Sequence, residues 1–98
     1  MVRLTANEVA AIRDAARDLD PEARVFLFGS RTVAHAKGGD IDLLIESRRL
    51  GFQQKIEFLV AVKNRIGEQK IDVVITPSIA ASQDPFIRSI ADAAVELV

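Results

Sequence analysis

The chain has 98 residues, which suits one domain spanning 1–98 with a single modest core, and its 13 basic and 14 acidic residues leave a net charge of −1. So even a balance argues against dedicated DNA binding, which carries a basic excess, and the absence of cysteine excludes disulfides and thiolate metal sites. Met1-Val2-Arg3-Leu4-Thr5 lacks the apolar stretch of a signal peptide and no run reaches membrane-spanning length, so a cytoplasmic protein with no membrane association is expected.

Thr5-Ala6-Asn7-Glu8 reads as a capping box, with Val9, Ile12, Ala16 and Leu19 on one face of the helix that follows. Asp20-Pro21 ends that helix. Arg24 to Phe28 is short and rich in strand formers, which predicts a first strand. Gly29-Ser30 turns the chain, residues 31–36 suit a short helix, and Lys37-Gly38-Gly39 leads into a second strand over 40–46. In that strand Asp40, Asp42 and Leu44 share one face and Ile41, Leu43 and Ile45 the other. Phe52, Ile56, Leu59, Val60 and residues 63–66 recur at helical spacing, so a helix is expected up to a C-cap at about Gly67. Residues 70–75 form a third strand, apolar after Lys70 except at Asp72, and Thr76-Pro77 closes it. Asp84-Pro85 caps a last helix whose buried stripe is expected to be Phe86, Ile87, Ile90, Ala91, Ala94 and Leu97. The order predicts an α/β fold, a small and largely buried mixed sheet of three to four strands packed with helices.

Three aspartates inside apolar segments need compensation, because an ionised carboxylate is expensive to bury. Asp40 and Asp42, two residues apart on a strand, have Cα atoms roughly 6.5 Å apart on one face. They could reach a common metal pair of the two-metal phosphoryl-transfer kind, whose members lie about 3.5–4 Å apart. Asp72 joins them if the third strand neighbours the second with the matching face. Oxygen donors without cysteine favour Mg²⁺ or Mn²⁺ over zinc. Gly29 allows close backbone approach, Ser30 offers a hydroxyl and an N–H to phosphate, and Arg31 adds a fork of donors. Asp72, on a separate strand, is the carboxylate suited to take or orient the proton of an attacking hydroxyl. Each part alone has a plain reading: Gly-Ser is a common turn, and Asp-x-Asp often marks a solvated strand end. Their conjunction, in this order and spacing, is far more specific.

At these residues the chain resembles the DNA polymerase β-like nucleotidyltransferase superfamily, and within it the minimal nucleotidyltransferases, which are stand-alone domains. The matching stretches are Phe28-Gly29-Ser30-Arg31, Gly39-Asp40-Ile41-Asp42-Leu43-Leu44-Ile45 and Ile71-Asp72-Val73-Val74. The order of elements matches as well, so the resemblance covers essentially the whole chain. It implies that Gly29 and Ser30 bind a nucleoside triphosphate and that Asp40, Asp42 and Asp72 hold the metals. The implied reaction moves a nucleoside monophosphate to a hydroxyl with release of pyrophosphate, ATP being the expected donor. Many minimal members have a glycine a few residues after Gly-Ser-Arg, where this chain has Thr32-Val33-Ala34; the difference bears on the phosphate loop and not on the carboxylates. Such members commonly pair with a separate helical HEPN protein in a toxin–antitoxin system, acting as the antitoxin by transferring AMP to the toxin.

Hydrophobic residues make up 49% of the chain, which leaves apolar surface for such a partner or for a homodimer. His35 and Lys37, near the phosphate loop, and Arg48, Arg49 and Lys55 read most simply as solvated charge. Two alternatives stand beside an AMP-transferring enzyme. One is a binding module that neutralises its partner by contact. The other is an enzyme acting on a small molecule, for which a partner chain would have to supply the acceptor pocket.

Overall fold

The first helix starts where the capping residues place it. In the computed structural model, which describes residues 4–29 and 40–97, α1 runs over Ala6–Leu19. Glu8 N–H donates to Thr5 Oγ1 at 3.1 Å, and Thr5 N–H donates to Glu8 Oε1 at 2.8 Å. The other Glu8 oxygen accepts from Gln69 Nε2 at 2.9 Å, so the cap also ties α1 to the segment before the third strand. Its buried stripe is Ala11, Ile12, Ala15 and Ala16, with Leu19 and Val9 only partly covered. The expected face is thus rotated toward the alanines, whose small side chains let the helix lie close to its neighbours.

The remaining elements are β1 (Arg24–Phe28), β2 (Ile41–Glu46), α2 (Phe52–Ile66), β3 (Ile71–Thr76), α3 (Pro85–Ala91) and β4 (Val95–Glu96). The strands form one mixed sheet in the order β3-β2-β1-β4. β1 is antiparallel to β2 and to β4, whereas β2 and β3 are parallel and joined by α2 as a β-α-β unit. Val25, Leu27, Ile41, Leu43, Ile45, Ile71 and Val73 share one core with the α1 stripe and with Phe58 and Val62 of α2. By strand alternation Phe26, Phe28, Asp42, Leu44, Glu46, Asp72 and Val74 lie on the opposite face. That face is covered only in part. Phe28 meets the Phe86 ring of α3 edge-on at 6.3 Å between centroids, and Leu44 and Ile87 are buried outside the main core. The expected largely buried sheet is therefore, among the described residues, a sheet with one face sealed by helices and one only half covered.

Two helices differ from expectation. α2 has the expected end, with Gly67 N–H donating to Lys63 O at 2.9 Å and Gly67 at φ 88°. Its start relies on Gln54, whose side chain accepts from Gly51 N–H at 2.9 Å, since Gly51 has no side chain to cap with. α2 carries two apolar stripes, and the core takes the one with Phe58 and Val62. Phe52, Ile56 and Val60, which mark the helical spacing in the sequence, are 76%, 41% and 54% exposed. The last helix begins as expected, with Asp84 accepting from Phe86 N–H at 2.9 Å and proline in the first turn, but it ends at Ala91. Ala94 and Leu97 do not extend it, and of the expected stripe only Ile87 is buried. The chain instead turns and adds β4 to the otherwise open edge of β1. Leu97 N–H donates to Val25 O at 2.7 Å, and Arg24 grips Glu96 through two bonds of 2.9 and 3.0 Å. Pairing a bare strand edge outweighs one more turn of solvent-facing alanines. No helix among the described residues is long and apolar enough to cross a membrane.

A buried polar junction fixes the far end of the sheet. Asp20 accepts from Ser47 Oγ at 2.5 Å and from Glu22 N–H at 3.0 Å, and Ser47 Oγ accepts from the N–H groups of Arg49 and Leu50 at 3.1 and 3.2 Å. The Ser47 hydroxyl chiefly holds the Asp20 pKa below its ordinary value, against the upward push of burial; Glu22 N–H and Arg49 assist. Ser47→Ala should cost about 1–3 kcal/mol in urea unfolding at neutral pH, because it removes a hydrogen bond to a buried carboxylate and strands two N–H groups. The depressed pKa means that the ionised Asp20 stabilises the fold above the unfolded-chain value of about 3.9, and that this is lost as pH falls through the lower folded value. The stability gap between wild type and Asp20→Asn should therefore hold steady near neutrality and shrink below about pH 4. A gap independent of pH would show that the carboxylate charge is not what stabilises the junction.

Candidate active site

Strand pairing assembles the candidate residues. β1 pairs Phe28 with Asp42, and β2 pairs Asp42 with Asp72, so the three side chains form one row across the half-open face. Asp40 immediately precedes β2, where Ile41 N–H donates to Lys70 O at 3.0 Å. Of the expected carboxylates, Asp42 and Asp72 are thus brought side by side. Asp40 stands at the strand mouth, its Oδ2 3.5 Å from Lys70 Nζ. Among the described residues no three Asp, Glu, His or Cys side chains converge closely enough to hold a metal ion.

The expected reason for compensation changes. Asp72 is exposed and Asp40 and Asp42 are only partly covered, so none of the three is immersed in the core. The cost lies first in the partial desolvation of Asp42 and then in the crowding of the carboxylates around it. Asp42 has its pKa pushed up, first by burial, then by the charges of Asp72 and Asp40 and by a hydrogen bond with Asp72; Lys70 opposes the shift. The charges beside Asp42 make its own ionisation harder, and a cation is the natural relief. The donors are all oxygens, the chemistry of a hard divalent ion such as Mg²⁺ or Mn²⁺, and in that sense the residues fit such an ion.

Gly29 follows β1 with φ 79°, a left-handed conformation that glycine adopts without strain. A Cβ there would land on the Asp42 carboxylate and lie 3.1 Å from its Cγ, so the turn residue and the carboxylate pack directly on each other. Ser30 and Arg31, the short helix expected over 31–36, His35 and Lys37 lie outside the described residues. Farther along the same face a recess of about 290 Å³ opens between the sheet and α3, floored by Phe26 and Leu44 and walled by Ala91 and Ala94.

Two neighbours of the carboxylates were not legible as such. Phe28 flanks Asp42 in register. Lys70 reads in the sequence as a strand's first residue, yet Asp40-Ile41-Asp42 and Lys70-Ile71-Asp72 share one spacing. In a parallel pair aligned at the isoleucines, that spacing sets Lys70 beside Asp40.

The family model described as a nucleotidyltransferase domain matches residues 9–97, so the chain belongs to that family. The mixed four-stranded sheet with its helices agrees with a polymerase β-like nucleotidyltransferase fold. No curated protein matches the chain.

Gly29 and Gly67 make a controlled pair. Both have left-handed φ, 79° and 88°, but a Cβ at Gly67 would meet nothing within 4 Å. Gly67→Ala should cost about 1–3 kcal/mol, the backbone penalty alone. Gly29→Ala should lower the melting temperature further and shift the Asp42 carboxyl resonance, because it adds a collision. Equal losses in the two variants would mean that the Gly29–Asp42 packing does not constrain the site.

Proposed function

From membership of the nucleotidyltransferase domain family, we propose that this chain transfers AMP from ATP to a hydroxyl on a separate protein of the helical HEPN type, and so acts as an antitoxin. The observation that carries the enzymatic part is the Asp42–Asp72 pair, set in register on a half-open face with Gly29 packed against Asp42. Asp40, Asp42 and Asp72 are the residues that would hold Mg²⁺ or Mn²⁺. When bound, that ion would neutralise triphosphate charge and make the attacking hydroxyl more acidic.

The chain's own groups divide the remaining work. Gly29 lets backbone come close to a phosphate, and Ser30 and Arg31 are the proposed phosphate donors beside it. Asp72 is the exposed carboxylate of the pair and comes from β3, whereas Asp42 lies on β2 and Asp40 just before it, which suits Asp72 to orient the acceptor hydroxyl and take its proton. The half-open face leaves an acceptor room to approach.

The exposed Phe52, Ile56 and Val60 favour a second reading, in which the fold neutralises its partner by contact and catalysis is weak or lost. Incubation with Mg²⁺ and α-labelled ATP, with and without the protein encoded beside it, separates the two. Label should pass to the neighbour, and Asp42→Asn should reduce that transfer by about a hundredfold or more, the usual scale for removing one charge-stabilising group. Undiminished neutralisation by Asp42→Asn, without label from any of the four nucleotides, would leave the contact reading.

A further inference from the structure

Lys70 has a relation to the carboxylates that the proposed reaction does not use. Its Nζ lies 3.5 Å from Asp40 Oδ2, and the two residues meet because β2 and β3 align Ile41 with Ile71 and Asp42 with Asp72. The Ile41 N–H bond to Lys70 O fixes that alignment at its first rung. The ion pair itself is open to water, with the Lys70 side chain 72% exposed and that of Asp40 42%. A pair so exposed adds little to stability, and a flexible ammonium leaves it easily. Among the described residues the three acidic groups do not converge on a common point, and Asp40 is the one that forms an ion pair with a cation of the chain, Lys70, whose charge also reaches Asp42.

We infer that Lys70 is a resident counter-ion of Asp40, which a divalent cation must displace before Asp40 can join Asp42 and Asp72 around it. This rests on reading the three aspartates as the cation site. Lys70 then acts as a positioning residue: it holds the mouth of the site in one arrangement without the ion and raises the ion concentration needed to load it. Its reach along the exposed rim lets it turn to solvent, or to an arriving anion, once released.

The test measures Mn²⁺ binding without nucleotide, from the free-ion electron paramagnetic resonance signal, for wild type, Lys70→Gln, Lys70→Arg and Asp42→Asn. Lys70→Gln should tighten binding roughly three- to tenfold at low salt, the scale of one solvent-screened unit charge a few ångströms away. The gain should narrow as ionic strength rises, and Lys70→Arg should stay close to wild type. Because Lys70 is exposed, thermal unfolding of Lys70→Gln should match wild type. Unchanged or weaker binding in Lys70→Gln, with binding weakened in Asp42→Asn, would overturn the role of Lys70 and leave the cation site standing. Binding unaffected by Asp42→Asn would overturn the cation site, and the inference about Lys70 with it.

Discussion

The parallel register of β2 and β3 is the constraint from which the rest of the site follows. It sets Asp42 opposite Asp72 and aligns Asp40 with Lys70 one step earlier. Two carboxyls forced side by side on neighbouring strands repel each other, and partial burial of Asp42 sharpens the conflict. A fold selected only for stability would separate them or pair each with a cation. Here the one ion pair to these carboxylates among the described residues is that of Asp40 with the solvent-exposed Lys70, whose charge offsets the burden on Asp42 only in part.

The fold can hold this conflict because the two faces of the sheet do different work. One face, with Val25, Leu27, Ile41, Leu43, Ile45, Ile71 and Val73, is sealed by α1 and α2 and supplies the core. That packing fixes the strands, so the opposite face need not be optimal. The Asp20–Ser47 junction locks the far end of β2 to the end of α1, and the Arg24–Glu96 bonds pin β4 along β1. Both lie away from the carboxylate row, so the strand ends that carry Asp42 and Asp72 are held from behind while their side chains stay accessible. Gly29 completes the arrangement, since any larger residue would occupy the space of the Asp42 carboxylate.

Much of this was legible in the sequence. The Thr5–Glu8 capping box, the C-cap at Gly67 and the strand at 24–28 stand where local chemistry puts them, and alternation along 40–46 separated Asp42 from its apolar neighbours. Non-local choices were hidden. Ala94 and Leu97 continue a helical period, and nothing nearby in the sequence reveals that β1 has an edge for Val95–Glu96 to cover. Phe52, Ile56 and Val60 carry the same spacing as a buried stripe, and only packing shows that Phe58 and Val62 won the core. Asp72 looked like a buried charge because its neighbours are apolar on both sides. A strand with one open face gives the same pattern wherever α3 and its flanking loop leave that face uncovered.

The central proposal is that Asp40, Asp42 and Asp72 act together on the divalent metal that accompanies the nucleotide. The most direct measurement is carboxyl carbon NMR of the aspartates during titration with Mg²⁺ and a non-hydrolysable ATP analogue. The resonances of Asp40, Asp42 and Asp72 should move together and saturate at one equivalent of the nucleotide analogue, with those of Asp14 and Asp20 unmoved. A titration that leaves Asp42 and Asp72 in place, or that moves aspartates elsewhere on the surface instead, would contradict it.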